Sequence, residues 1–243
     1  MLENHYHPTL VEGLEKLPLH KQRIINDGRY RPLTSWEFKE LERREGWLDS
    51  SPYYARSVYC QMISWSCMTE GFIRDFWYFL ALRGIKKIIE PYAGKATLRR
   101  FARKPFMTWE CYDARPVTDD VRRGSARRVM KDLRPGDAEV ILVSWVPWRD
   151  EEDVSLLKAS RRLQIPILWI GESWSGCTGS DRFWNMLSKQ GFQTDYHEHG
   201  VEVENWYGIH DQFIVITPPA PRAPHRAVIP SNLRPRRAKV RRA

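Results

Sequence analysis

Residues Ile88-Ile89-Glu90-Pro91-Tyr92-Ala93-Gly94-Lys95-Ala96-Thr97-Leu98 read as a short apolar strand that ends in a carboxylate, turns through small residues and enters a basic helix, Leu98–Lys104. A strand, a tight turn and a helix start place backbone amides where a phosphate or nucleoside can approach them. The flanking sequence tells which fold this corner belongs to.

Downstream of the corner, apolar runs and helical patterns alternate. Strands are predicted at Lys87–Glu90, Thr108–Tyr112, Glu139–Ser144 and Ile165–Ile170, with helices at Leu98–Lys104, Glu151–Leu163 and Asp181–Gln190. Such alternation predicts βαβ units and a mostly parallel sheet. After Gly191, Gln193–His199 and Gln212–Ile216 form two strands with no helix between them, which predicts an antiparallel hairpin at the sheet edge.

The residues before the corner read differently. Residues 1–35, with prolines at 8, 18 and 32, are expected to be irregular. Thr34-Ser35-Trp36-Glu37 has the form of a capping box and opens a charged helix to about Glu45. Ser51-Pro52 opens a second helix, with Tyr54, Val58, Met62 and Trp65 at helical spacing. Thr69 caps a third, whose stripe of Phe72, Phe76, Phe79 and Leu80 is expected to pack in the core; Gly84 closes it.

The whole chain is 243 residues with 42% hydrophobic content, enough for one substantial α/β core. The expected division is an N-terminal helical extension (1–68), a Rossmann-like domain (69–217) and a flexible Pro/Arg-rich basic tail (218–243). Cys60, Cys67, Cys111 and Cys177 are too scattered for a metal knuckle and too few for a disulfide framework, so reduced thiols are expected. No long uncharged apolar run or signal peptide is present, and a soluble intracellular protein, cytoplasmic or nuclear, with no membrane partner is expected.

Formal charge is +9, and its location is more telling than its size. Eight of the 39 basic residues lie in the last two dozen positions, and no acidic residue lies beyond Asp211. The body is therefore near neutral and the tail is a polycation. Pro218-Pro219-Ala220-Pro221 breaks the last strand, and the segment beyond it, rich in proline and arginine, has too few apolar residues to fold alone. Polycationic tails bind phosphate backbones by counterion release, and arginine pairs with phosphates and stacks on bases. Nucleic acid, with RNA favoured, is the expected partner of Arg234, Arg236, Arg237, Lys239, Arg241 and Arg242; a solubilising tail, a nuclear-type targeting address or an anionic protein partner is the alternative.

The segment Glu90 to Ala96 resembles the first motif of class I (Rossmann-like) S-adenosylmethionine (SAM)-dependent methyltransferases, an acidic residue followed by a turn with three small positions. Here Tyr92 holds the first of these, Gly94 the second and Ala96 the third. The resemblance implies a mostly parallel methyltransferase sheet and cofactor contacts from Glu90, Tyr92, Ala93, Gly94 and Ala96. It also implies that Asp113, at the end of the next strand, accepts from the ribose, with Ser125 beside the adenine; a solvated strand-end aspartate is the other reading of Asp113.

Ser144-Trp145-Val146-Pro147-Trp148 is similar to the fourth motif of methyltransferases that modify exocyclic amines, a short polar residue, two prolines and an aromatic. Pro147 and Trp148 match it, Val146 replaces the first proline, and Ser144 stands one place early. The likeness implies Ser144, Pro147 and Trp148 as the catalytic group, with Trp145 and Trp148 contacting substrate. Ile170-Gly171-Glu172 and Gly176-Cys177-Thr178-Gly179 resemble a little-characterised methyltransferase-like subgroup with degenerate first and fourth motifs, which adds Glu172 and Cys177 to the substrate side. No metal is expected: His197 and His199 flank Glu198 on a predicted strand face without a third ligand. Asp211 either orients substrate or caps the hairpin loop. Two functions stay open: a SAM-dependent methyltransferase acting on a base of nucleic acid, or a catalytically inactive nucleic-acid-binding or scaffold protein with the same fold.

Overall fold

The computed structural model describes residues 10–43, 52–174, 176–196 and 200–221. The helices α1 (Leu10–Glu15), α2 (Leu19–Gly28), α3 (Ser35–Glu42), α4 (Pro52–Met62) and α5 (Glu70–Leu82) precede the sheet. Then come β1 (Lys87–Glu90), α6 (Thr97–Ala102), β2 (Thr108–Asp113), β3 (Arg122–Arg123), α7 (Ala126–Asp132) and β4 (Val140–Ser144). A 3₁₀ turn (Glu151–Asp153), α8 (Val154–Leu163), β5 (Ile167–Gly171), α9 (Asp181–Lys189), β6 (Gln193–Asp195) and β7 (Gln212–Thr217) complete the order.

Strands pair in the order β3-β2-β1-β4-β5-β7-β6. Among the described residues β7 alone runs against the others, antiparallel to both β5 and β6. Parallel strands reversed once at the edge by an inserted antiparallel strand make the class I Rossmann-like methyltransferase sheet. No described helix is long and apolar enough to cross a membrane.

The period of two along each strand divides the core. Ile88, Val140, Leu142, Leu168, Ile170 and Phe213 face one side, where α5 brings Phe72, Phe76, Phe79 and Leu80. Ile89, Ile141, Val143, Ile167, Trp169 and Ile214 face the other, against α7, α8 and α9. Each fully buried large apolar side chain contributes roughly 1.5–3 kcal/mol relative to exposure, so the aromatic stripe of α5 anchors its face of the sheet. A third cluster joins Ile25, Phe38, Leu41, Val58 and Tyr59 of the N-terminal helices to Trp206 and Ile209 from the segment before β7. Trp206 meets Phe38 and Tyr59 edge-on at 4.6 and 5.3 Å.

Several expectations need correction. Residues 1–35 are not irregular where they are described, because α1 and α2 lie there. Pro18 occupies the N-cap of α2 instead of breaking a helix, a position where its missing N–H costs nothing. The helix from Thr34 ends at Glu42, three residues early, and α4 ends at Met62, so Trp65 lies outside it. The short helix α7 and strand β3 are not among the predicted elements. His197, Glu198 and His199, and the tail from 222 onward, lie outside the described residues.

Candidate functional site

The corner is assembled by the sheet register. Glu90, the last residue of β1, pairs with Cys111 of β2, so β2 runs on past it to Asp113 beside the turn. The Ala93 amide donates to the Tyr112 carbonyl at 3.0 Å, and the Gly94 amide donates to Asp113 Oδ2 at 3.1 Å. Gly94 and Ala96 both take φ 54°, in the left-handed region. A Cβ on Gly94 would meet nothing within 4 Å, so this backbone faces open space. Glycine suits that conformation; alanine at 96 adopts it at a cost of about 1–2 kcal/mol.

Asp113 is tied to the turn. Besides Gly94, its Oδ1 accepts from the Arg115 amide at 2.8 Å, one bond per oxygen. A carboxylate has about four acceptor sites, so half its capacity remains. Ser125 lies close by in the chain, since the Gly124 amide donates to the Asp113 carbonyl at 2.9 Å, but its hydroxyl caps α7 at the Arg128 amide.

Glu90 sits under the turn, not in it. It is buried, accepting from Trp109 Nε1 at 2.9 Å and Cys111 Sγ at 3.4 Å. Burial pushes its carboxyl up to about 7, against the pull of those two donors. Tyr92 is folded away from the Gly94 turn, its ring packed on the second core cluster. Its hydroxyl is buried without a hydrogen bond of normal geometry. Burial, then the charges of Asp150, Asp153 and Glu152, raises that phenol well above its ordinary value.

The N-terminal helices roof this edge of the sheet. Lys95 Nζ donates to the Cys60 carbonyl at 3.2 Å, and Thr97 Oγ1 to the Ile63 carbonyl at 2.6 Å. At the tip of β4, Ser144 Oγ is 2.8 Å from Ser66 Oγ, so the hydroxyl expected to face an amine is engaged with the roof. Trp145 follows with φ 56°, an uncommon conformation for a bulky side chain. Three contacts hold it there: Trp65 stacked at 5.6 Å, the Arg56 guanidinium 5.3 Å from the ring centroid, and Nε1 donating to Asp211 Oδ2 at 2.7 Å. Val146 is fully buried, Pro147 bridges to Thr178, and Trp148 is exposed with the Arg149 guanidinium 3.9 Å from its ring centroid.

The loop after β5 folds around Glu172. Its Oε2 accepts from the Cys177 amide at 2.6 Å and Cys177 Sγ at 2.8 Å, and its Oε1 from the His210 amide at 3.0 Å. Burial alone would raise this carboxyl; the bonds from Cys177 and His210 outweigh it and hold the group below its ordinary value. Gly176 is required because a Cβ there would fall 2.3 Å from Glu172 Cβ. Cys177 is exposed, yet burial of its sulfur side and the bond and charge of Glu172 push the thiol up to about 12, which makes it a poor nucleophile at neutral pH.

Between these loops opens a cleft of about 590 Å³ lined by Trp148, Trp174, Glu172, Cys177, His210 and Gln212. Asp211 stands between two of its lining residues. The acid is buried, its Oδ1 finds no hydrogen-bond partner, and burial pushes it up to about 7 against the Trp145 bond. Arg56, Trp65, Trp174 and His210 join the site although the sequence does not single them out. Trp65 reads there only as one more apolar position at helical spacing.

No family model matches the chain, and no curated protein matches it. Among solved structures, human N-acetylserotonin methyltransferase in complex with SAM aligns over 86% of this chain and 69% of its own, at 12% identity and TM-score 0.44. The N,N-8-amino-8-demethyl-D-riboflavin dimethyltransferase of Streptomyces davawensis aligns over 86% and 68%, at 16% identity and TM-score 0.44. The mitomycin 7-O-methyltransferase MmcR aligns over 87% and 74%, at 13% identity and TM-score 0.40. At these scores the likeness carries no weight of its own; the strand order and the single antiparallel strand define the fold.

Proposed function

We propose that the chain is a SAM-dependent methyltransferase-like protein that takes the cofactor over the Gly94 turn and a nucleic-acid base, RNA by preference, in the aromatic cleft beside it. The observation that carries this reading is the Asp113 carboxylate fixed on the Gly94 amide with acceptor capacity to spare, beside backbone that faces open space. Those residues fit the ribose end of the cofactor, and Tyr92, packed on the second core cluster, leaves the Gly94 turn uncovered. When bound, SAM supplies an electrophilic methyl group. The chain's share is alignment: Asp113 accepts hydrogen bonds from the ribose hydroxyls, the Gly94 amide borders the ligand, and Trp148 offers a stacking face for a base. The basic residues Arg234, Arg236, Arg237, Lys239, Arg241 and Arg242 supply phosphate contacts in this reading.

A second reading is a non-catalytic nucleic-acid-binding protein or scaffold. It is favoured by the engagement of Ser144 with Ser66, which removes the hydroxyl at the amine position. Incubating the full chain with methyl-labelled SAM and a mixed RNA pool separates the two. Label in RNA, lost in Trp148→Ala, is expected; RNA binding without any label would favour the scaffold.

A further inference from the structure

Between Glu90 and Glu110 the chain carries five cations, Lys95, Arg99, Arg100, Arg103 and Lys104, and no acid. All lie on α6 or just beyond its ends, where the helix leaves the Gly94 turn. Lys95 is engaged with the Cys60 carbonyl, and Arg99 lies 3.8 Å from Asp120. The other three make no ion pair among the described residues. Arg100 is fixed by backbone instead: Nη1 donates to the Arg29 carbonyl at 3.0 Å and Nη2 to the Lys95 carbonyl at 3.4 Å. Its guanidinium therefore spans from the end of α2 to the turn. Arg103 Nε donates to the Met107 carbonyl at 3.4 Å, and Lys104 Nζ stands 5.0 Å from the ring centroid of Trp77 on α5. Arg29, which caps the C-terminal end of α2, is exposed and lies 5.7 Å from the ring centroid of Tyr30, itself 77% exposed. A cationic strip thus runs from Arg29 over Arg100 to Arg103 and Lys104, beside the turn.

The carbonyl ends of α2 and α6 each favour a cation. Crowding works the other way, because side chains three and four apart on a helix are neighbours and like charges there repel. Arg100, Arg103 and Lys104 have that spacing, and the acids close by, Asp27 and Asp120, are engaged with Arg31 and Arg99. Arg100 and Arg103 are also held in place by carbonyls, with N–H groups to spare on each guanidinium. Unneutralised cations oriented in advance next to an exposed ring make a backbone track with a stacking platform. We propose that this strip binds a single strand of RNA: Arg29, Arg100, Arg103 and Lys104 meet its phosphates, and Tyr30 stacks a base. Phosphate contacts fix where a nucleic acid lies on a protein, so the folded body, and not the tail, sets the path of the strand past the turn. This rests on the nucleic-acid half of the function proposed above and needs nothing of its cofactor half.

The test is fluorescence anisotropy of a labelled single-stranded RNA of mixed sequence with the full chain at several salt concentrations. In the triple variant Arg29→Ala, Arg100→Ala, Arg103→Ala, affinity is expected to fall roughly tenfold and the slope of log affinity on log salt to shrink by about 2, since each phosphate contact on a single strand contributes about 0.7. Tyr30→Ala is expected to weaken binding about tenfold with the slope unchanged. If the triple variant does not fold, Arg29→Ala and Lys104→Ala, whose side chains lie on rings, are each expected to shrink the slope by about 0.7; no change in either overturns the proposal. An unchanged slope in the triple variant, with the salt dependence lost when Arg234, Arg236, Arg237, Lys239, Arg241 and Arg242 become Ala, would show that the tail alone grips RNA. That result overturns this inference and leaves the function above in place, whereas no RNA binding by the unaltered chain overturns both. Polyglutamate bound more tightly than RNA, and lost in the same triple variant, would assign the strip to an acidic protein and overturn the proposal as well.

Discussion

Glu172 and Cys177 illustrate how a side chain's role depends on what is already bonded to it. Both stand out in the sequence as substrate contacts, yet Glu172 accepts three bonds from its own loop and the segment before β7. The carboxylate raises the Cys177 thiol, and removing its charge should bring the thiol down. In Glu172→Gln, iodoacetamide is expected to alkylate Cys177 roughly tenfold faster at pH 8.5, since each unit of pKa is a factor of ten in thiolate. The other three cysteines are buried and serve as the internal control. An unchanged rate would show that burial, not Glu172, governs the thiol. Asp211 is noticeable in the sequence, but its role is not legible there, because Trp145 lies 66 residues away and only the fold joins them.

Elements with strong local signals were legible and weakly patterned ones were not. The Thr34 capping box forms in full: Thr34 Oγ1 accepts from the Glu37 amide at 3.1 Å, and Glu37 Oε2 accepts from the Thr34 amide at 2.8 Å. Arg31 also pairs with Glu37, and that bond leads the causes holding the Glu37 carboxyl down to about 2. Thr34→Ala is expected to cost about 1 kcal/mol in urea denaturation with the slope unchanged; no loss would mean that Arg31 alone sustains the helix start. Strands β1, β4 and β5 were legible as apolar runs because both of their faces are buried. By contrast, α7 has seven residues and only Val129 and Met130 as large buried apolar side chains, so no 3.6-residue period develops. In β3, two arginines on the surface carry no apolar signal at all. The prolines before residue 35 misled because Pro is as much a helix starter as a helix breaker, and sequence alone does not say which turn it occupies.

Across the whole molecule, the buried acids set the response to pH. Burial raises Glu90 to about 7, Asp211 to about 7 and Asp153 to about 6, each above its unfolded value. The folded chain therefore holds these protons more tightly than the unfolded chain. Unfolding releases protons between about pH 4 and 7, so stability falls as pH rises through that window. Glu37 works the other way, but only below about pH 4.5, where its carboxyl begins to be protonated in the unfolded chain. Denaturation at pH 5.5 and 7.5 is expected to differ by on the order of a few kcal/mol in favour of the lower pH, and Glu90→Gln should reduce the difference, leaving the share of Asp211 and Asp153; equal stability at the two values would contradict the burial of these charges. The parallel order and the edge hairpin were legible at this scale, whereas the roof of α4 and Trp65 over the strand tips was not, because nothing in its sequence marks which surface it covers. The cofactor reading depends on one property of the corner, that Tyr92 lies beside the Gly94 turn and not across it. Calorimetric titration of SAM into the unaltered chain, Tyr92→Gly and Asp113→Ala tests that directly. Saturable binding to the first two and its loss in the third is predicted, and an absence of heat from the unaltered chain at millimolar SAM would contradict it.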